Sequence, residues 1–466
     1  MKNAVENVSR RAVLAGVGSL LGAGCLGAER TPGTSDTDWR MYGCDPGRTR
    51  FVPNASLPRD GVDIAWERSV SASGWYPPVV ANETVYCQYS NGLFVLDAAT
   101  GEGTRASTYG PFGRDISPMA FASTELYRDG VLVVPYGTVI GGYAAGRDGW
   151  PDSVSGIGEE RARWWLDGDS TSASRLPLRA SDGEWLGSPL TVDGTLVSLH
   201  PRSATLSASD SDDGSNRWRF DLETVAADGY VASPVGHVVD TTTGTVVVKL
   251  RTRREESAIA VPLLVGISSE NGSLEWRTTT GEVSSGDTNP GVEPADSLTT
   301  RDGTVYTIDW DTSSRALRLR ELDAATGELG WTKSLDRSEH IGVAVDEARL
   351  YHVGLVDREG APETFRIVAL DRNSGSRRWV ETIDGAPVVP RLPYGAPPTV
   401  ADEHLLVPGR RGLHALDRGT GETLWTFTEM APTSGGGSVE RSGMTPAVVT
   451  DDRIVIGTTL MLYGLE

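Results

Sequence analysis

After residue 25 the apolar residues of this chain come in short runs, many alternating with polar ones, and no long helical period appears. Typical runs are TVYCQYS at 84–90, VLVVPYG at 131–137, TLVSLH at 195–200, TVVVKL at 245–250, TVYTID at 304–309 and RIVIGTT at 453–459. Each is rich in β-branched and aromatic residues and follows a turn signal, which marks it as a strand. The turn signals stand at Asn82, Asp129–Gly130, Asp193–Gly194, Thr243–Gly244, Asp302–Gly303, Asp346, Asp402 and Asp451. Several of them follow a proline and a further short apolar strand, as in PPVV (77–80), SPLTV (188–192), PPTV (397–400) and TPAVV (445–449).

Downstream of these strands an eleven-residue phrase recurs. It reads ALDRNSGSRRW at 369–379, ALDRGTGETLW at 415–425 and ELDAATGELGW at 321–331, with looser copies at 95–105, 208–218 and 266–276. A phrase repeated at this spacing signals one supersecondary unit stacked many times. Gly101, Gly214, Gly272, Gly327, Gly375 and Gly421 sit where a tight turn needs positive φ. Asp97, Asp210, Asp323, Asp371 and Asp417 are placed to fold a side-chain oxygen onto the turn amides. Trp218, Trp276, Trp331, Trp379 and Trp425 each bring a large flat ring once per unit, and its natural place is the seam between units.

Each unit therefore reads as four antiparallel strands, and eight upstream turns spaced 44 to 64 residues apart give eight units. The eighth ends at Glu466 with no phrase after it, and its missing tryptophan strand is supplied by IAWERSV (64–70), which carries Trp66. Pairing the first strand with the last unit closes the ring and removes open sheet edges. The expectation is an all-β, eight-bladed β-propeller over residues 38–466. In its second unit Trp164 or Trp165 takes the seam position, within an irregular insert from about 140 to 184.

Charge and composition change the picture in one respect. The formal net charge is −20, and Lys2, Lys249 and Lys333 are the only lysines, so 40 of the 43 basic residues are arginine. Acidic excess with scarce lysine reads as adaptation to molar salt, where the screening length falls to about 3 Å; an acidic protein from a high-GC genome is the plainer alternative. No basic stripe exists, so nucleic acid is not an expected partner.

The first residues read as an address. Arg10–Arg11 precede a weakly apolar run, Ala12 to Gly24, that is too short to span a bilayer and ends at Cys25. The pair resembles a twin-arginine export leader, and Gly22–Ala23–Gly24–Cys25 resembles a lipobox with Cys25 as the lipidated residue. Residues 1–24 are then a signal peptide and 25–37 a polar tether, with the ring held at the outer face of the membrane by its lipid anchor alone, or secreted if Cys25 is unmodified. In that compartment Cys44 and Cys87 either pair or remain two buried thiols. Asn54, Asn82 and Asn271 lie in sequons open to N-glycosylation.

Catalytic signatures are sparse. The six histidines, His200, His237, His340, His352, His404 and His414, show no metal-ligand spacing, although His404 and His414 straddle Gly409 and are placed to face each other across a hairpin. Asp210, Asp212 and Asp213 have the look of a calcium loop but occupy the turn of a repeated phrase. No P-loop or GxSxG is present, and no catalytic, cofactor or metal residue is assigned. Long connections at 279–297 and 429–443 are the places where binding to a partner would reside.

The phrase A-x-D-x-x-T-G-x-x-x-W resembles the tryptophan-docking motif of the pyrroloquinoline-quinone-type (PQQ-like) propeller superfamily, and the opening WRMYGCDPGRTRF at 39–51 is similar to the entry segment of those proteins. The resemblance implies two functions. One is the non-enzymatic, lipidated BamB-like branch, a monomeric ring that binds a protein partner, a surface glycan or another ligand through its inter-blade loops, with no cofactor. The alternative is a quinoprotein dehydrogenase of alcohols or sugars using PQQ and calcium, or a carbohydrate-acting propeller. Dehydrogenases of this kind commonly carry adjacent cysteines beside the quinone; Cys25, Cys44 and Cys87 are all apart.

Overall fold

In the computed structural model of the protein the described residues are 38–466 except 70–76, 90–91, 108–117, 137–138, 147–161, 168–187, 201–202, 255–258, 281–282, 285–296, 312–315, 336–338, 357–363, 385–395, 410–411, 429–443 and 459–460. The leader, Arg10, Arg11, Cys25 and the tether lie outside them, as does most of the two long connections. Among the described residues no helix is long and apolar enough to cross a membrane.

Eight antiparallel sheets follow one another along the chain, seven with their four strands in sequence order and the last completed by a strand from the start of the described chain. They form an eight-bladed β-propeller. Blade 1 opens with Val79–Ala81, blade 2 with Ala120–Ala122, blade 3 with Leu190–Val192 and blade 4 with Tyr230–Asp240. Blades 5 to 8 open with Leu298–Arg301, Glu339–Val345, Thr399–Ala401 and Val448–Val449. The turn after the first strand is short in most blades, blade 2 with its connection over 123–130 being the exception; in blade 5 Asp302 (φ 49°) and Gly303 (φ 79°) show the left-handed pair that a two-residue hairpin demands. Ile64–Ser69 completes blade 8 by pairing antiparallel with Met461–Leu465, so the first long strand closes the ring against the last.

Alternation explains the packing. A strand inside a blade has neighbouring blades on both faces, so both sets of side chains are buried: in Thr195–His200 five consecutive residues are buried, and in His404–Gly409 all six are. Fourth strands lie at the rim and show the half-pattern instead, as in Asn216–Asp221, where Trp218 is buried between exposed neighbours. The apolar clusters cross blade boundaries; one gathers Val85 and Cys87 of blade 1, Leu406 and Ala415 of blade 7 and Val455 and Tyr463 of blade 8. The core is a continuous ring of inter-blade layers.

Candidate functional site

The repeated phrase is used at the seams. Its aspartate caps its own turn: Asp323 Oδ1 accepts from the amides of Ala325 (2.9 Å) and Thr326 (2.8 Å), and Asp417 Oδ1 from those of Gly419 and Thr420 (2.9 Å each). The tryptophan of one blade then lies on the phrase of the next. Its indole N–H donates to the carbonyl one residue past that aspartate or its equivalent: Trp66 to Ala98 (3.0 Å), Trp164 to Ser211 (2.9 Å), Trp218 to Ser269 (2.9 Å), Trp276 to Ala324 (2.9 Å), Trp331 to Arg372 (3.2 Å) and Trp379 to Arg418 (3.1 Å). The ring covers the turn glycine. A Cβ at Gly101, Gly214, Gly272, Gly327, Gly375 or Gly421 would sit 2.4 to 3.0 Å from the ring, and all six glycines have positive φ.

Trp164, not Trp165, holds the blade 2 seam; Trp165 packs edge-on to Tyr143, 5.3 Å between centroids. Blade 8 has no phrase to receive Trp425, and the carbonyl of Pro58 takes that place at 3.0 Å. His404 shares the same acceptor at 3.2 Å, with its ring 6.5 Å from that of Trp425.

Two arginines within the phrase join the seams from the other side. Arg372 reaches back to blade 5, bonding Asp302 (2.8 Å), the Tyr306 hydroxyl (3.1 Å) and the Arg301 carbonyl (3.0 Å). Burial pushes the Tyr306 hydroxyl up to about 12, so it stays protonated beside the guanidinium. Arg418 approaches Asp346 of blade 6 at 3.4 Å, and the Tyr351 hydroxyl donates to the same Asp346 at 2.7 Å. The sequence carried a signal for this pair, since both arginines follow the phrase aspartate directly.

The axis is taken by the entry segment. Neighbouring blades touch mainly through their first strands, which therefore form the inner ring, and residues 38–56 cross all of it. The Trp39 carbonyl accepts from Val80 (2.9 Å), Arg40 from Phe121 (2.6 Å), Pro46 from Val239 (2.8 Å), Gly47 from Thr300 (2.9 Å), Thr49 from Val345 (2.8 Å) and Arg50 from Val400 (2.8 Å). Phe51–Val52 then pairs parallel with blade 7. Arg48 donates to the Ser188 carbonyl at the start of blade 3 (3.4 Å), and the Ser56 amide donates to Asp451 of blade 8 (2.6 Å). All eight blades are contacted. Because Val239 and Val345 lie at the ends of their strands, the segment closes the axis at its tight-turn end. Gly47 comes so near blade 5 that a Cβ would stand 2.2 Å from the Thr300 carbonyl oxygen.

This plug is cationic. Arg48 and Arg50 are 3% and 2% exposed, with their guanidinium carbons 5.7 and 4.4 Å from the ring of Tyr42. Its two carboxylates are both engaged: Asp38 pairs with Arg40 (3.1 Å), and Asp45 is bonded to the amide (2.9 Å) and hydroxyl of Thr49. His237 of blade 4 is fully buried nearby; burial and the charge of Arg48 bring its pKa down to about 3, so it is neutral.

The remaining candidates separate in space. His404 and His414 do not face each other: His404 pairs with Asp417 and His414 with Val407, because the hairpin turns past Gly409 rather than on it. The stacked pair is His340 with His352, 5.3 Å apart and 10° from parallel, inside blade 6. Cys44 and Cys87 are both free, and burial raises the Cys87 thiol well above its ordinary range. Asp210 and Asp213 accept from Asp212 and Ser215 amides of their own turn. Asn54, Asn82 and Asn271 are all exposed. Between blades 4 and 5, Lys249 Nζ is buried against Asp309 (2.8 Å), Ser297 (3.0 Å) and the Ile308 carbonyl (2.6 Å), while Asp309 also binds Arg320 (3.2 Å) and Thr280 (3.0 Å). Burial alone would raise the Asp309 carboxyl, but the two cations outweigh it and hold it ionised.

Comparisons with known proteins follow the geometry. Residues 315–466 match a family model described as outer membrane protein assembly factor BamB. No curated protein sequence matches the chain. Among solved structures, the quinohemoprotein alcohol dehydrogenase ADHIIG of Pseudomonas putida HK5 superposes with a TM-score of 0.58 at 12% identity, over 93% of this chain and 80% of its own. BamB from Moraxella catarrhalis gives 0.52 at 13% identity, over 87% of this chain and 100% of its own. The quinohemoprotein alcohol dehydrogenase of Comamonas testosteroni gives 0.53 at 12% identity, over 92% and 80%. Identities this low show the fold alone, and enzymes and an assembly factor share it. The chain is an eight-bladed β-propeller whose residues 315–466 match the BamB family model.

Proposed function

We propose that this propeller is a non-enzymatic platform outside the cytoplasm, tethered to the membrane through a lipid on Cys25 after twin-arginine export, and that it binds a protein partner or a surface ligand through its inter-blade loops. The single observation that favours this reading is the entry segment. It fills the tight-turn end of the axis, bonds to all eight blades, and places arginine there.

The dehydrogenase-like relatives imply a quinone with calcium, and calcium requires six to eight oxygen ligands, carboxylates prominent among them. The described residues do not fit that group. No three His, Cys, Asp or Glu side chains among them are gathered as a ligand set, the plug carries Arg48, Arg50 and an Arg40–Asp38 ion pair, and Asp45 is held by Thr49. No catalytic step is derived through it. A titration with PQQ and calcium, followed by tryptophan fluorescence and by dye-linked alcohol oxidation, is expected to give neither saturable quenching nor turnover. Saturable binding with dye reduction would overturn the platform reading in favour of the dehydrogenase.

A further inference from the structure

The repeat serves as its own control for the seam between blades 5 and 6. Two residues beyond each docking tryptophan stands a side chain opposite the third strand of the next blade. In this seam it is Lys333, and the facing residue, three before the one paired with the next tryptophan, is Arg366. Elsewhere the same two positions hold pairs such as Leu166 and Thr205, Phe220 and Leu263, or Phe427 and Met461, and no other seam is basic at both. Two residues before the tryptophan of blade 6 is Arg377, a position without charge in every other blade.

These three cations line one cleft of about 290 Å3, whose floor is the buried Leu335, Val368 and Leu370. Neither Lys333 nor Arg377 forms an ion pair or side-chain hydrogen bond with a described residue. Arg366 has an interaction of its own, but the like charges of Lys333 and Arg377 converge on one cleft and repel unless an anion sits between them, and this chain carries a net charge of −20 and only three lysines. The cleft is at the lower limit for enclosing a small molecule. It runs instead along the outermost strand Leu329–Ser334, and Arg366 to Leu370 spans about 13 Å of extended backbone. Trp331 and Trp379, on either side of blade 6, are only half-buried, so this flank of the ring is open.

We propose that the cleft receives an acidic segment of a partner polypeptide, its carboxylates on Lys333 and Arg377 and an adjoining apolar side chain on the floor. The inference rests on the platform reading only in taking the anion as part of a polypeptide. The test is fluorescence anisotropy of the full chain with a dye-labelled peptide of alternating glutamate and leucine, its glutamine counterpart, and free glutamate as competitor. The acidic peptide is expected to bind saturably and the glutamine peptide weakly. Lys333→Gln with Arg377→Gln, both at exposed positions, is expected to weaken binding by about tenfold, as loss of charge-assisted hydrogen bonds does, while Arg253→Gln on blade 4 leaves it unchanged. No binding of the acidic peptide, or equal binding by the double variant, overturns the site. Free glutamate competing as well as the peptide overturns the polypeptide assignment. Either failure leaves the platform reading to be decided by capture of a partner elsewhere on the ring.

Discussion

Trp379 shows how one residue type serves the whole ring. Its indole N–H bonds Arg418 of the following blade, its ring covers Gly421, and the Tyr351 ring lies 6.0 Å away. Truncation to alanine removes the hydrogen bond and leaves an emptied aromatic site. Trp379→Ala is expected to cost about 3–5 kcal/mol in denaturant unfolding; an unchanged midpoint would contradict the seam account. At the same scale His237 sets a pH dependence. Its folded pKa, down to about 3 through burial and Arg48, lies below that of the unfolded chain, so unfolding takes up a proton as pH falls. Its contribution to stability is complete above about pH 6.5 and is lost progressively toward pH 3. His237→Gln, which cannot titrate, is expected to flatten the fall in thermal midpoint between pH 7 and 5 relative to the parent, and an identical slope would refute the assignment. The tryptophans and glycines were legible because the phrase repeats. His237 was not, since nothing local distinguishes a strand histidine that will meet Arg48 from one that will face solvent.

At the scale of strands and blades, periodicity carried the reading and register limited it. Alternating runs and turn residues specify four strands per blade, and eight upstream turns specify eight blades. What they leave open is which side chains from different blades meet. Lys249 and Asp309 are 60 residues apart and lie on second strands of adjacent blades; only the packing of the ring joins them. The expectation that His404 would face His414 failed by three residues of register, which sends each to a different partner. Lys249→Met leaves the buried Asp309 carboxylate with Arg320 as its remaining cation, so it is expected to destabilise by about 1–3 kcal/mol. Lys249→Met with Asp309→Leu is expected to recover part of that loss in the same unfolding assay, because Arg320 then loses this carboxylate. A double variant as unstable as the single would show that the pair is not the source.

For the whole molecule, closure by Ile64–Ser69 and the crossing of the axis by residues 38–56 tie the first described segment to every blade. Closure was legible from the missing phrase in the last repeat and the unpaired Trp66. The crossing was not. The opening WRMYGCDPGRTRF has no strand alternation, and its bonds to the blades are mostly backbone contacts that leave no side-chain pattern. The result is a closed ring whose repeated chemistry is structural, and its proposed role is that of a membrane-held platform. If Cys25 carries the anchor, Cys25→Ser is expected to move the protein from the membrane fraction to the soluble one; retention on membranes would rule the anchor out.

The most direct measurement is cross-linking of the tagged, full-length protein in its own membranes at molar salt, followed by purification and mass-spectrometric identification with mapped cross-links. The platform account predicts a stoichiometric protein partner linked to inter-blade loops. Recovery of the ring alone, with saturable PQQ and calcium binding by the same preparation, would contradict it.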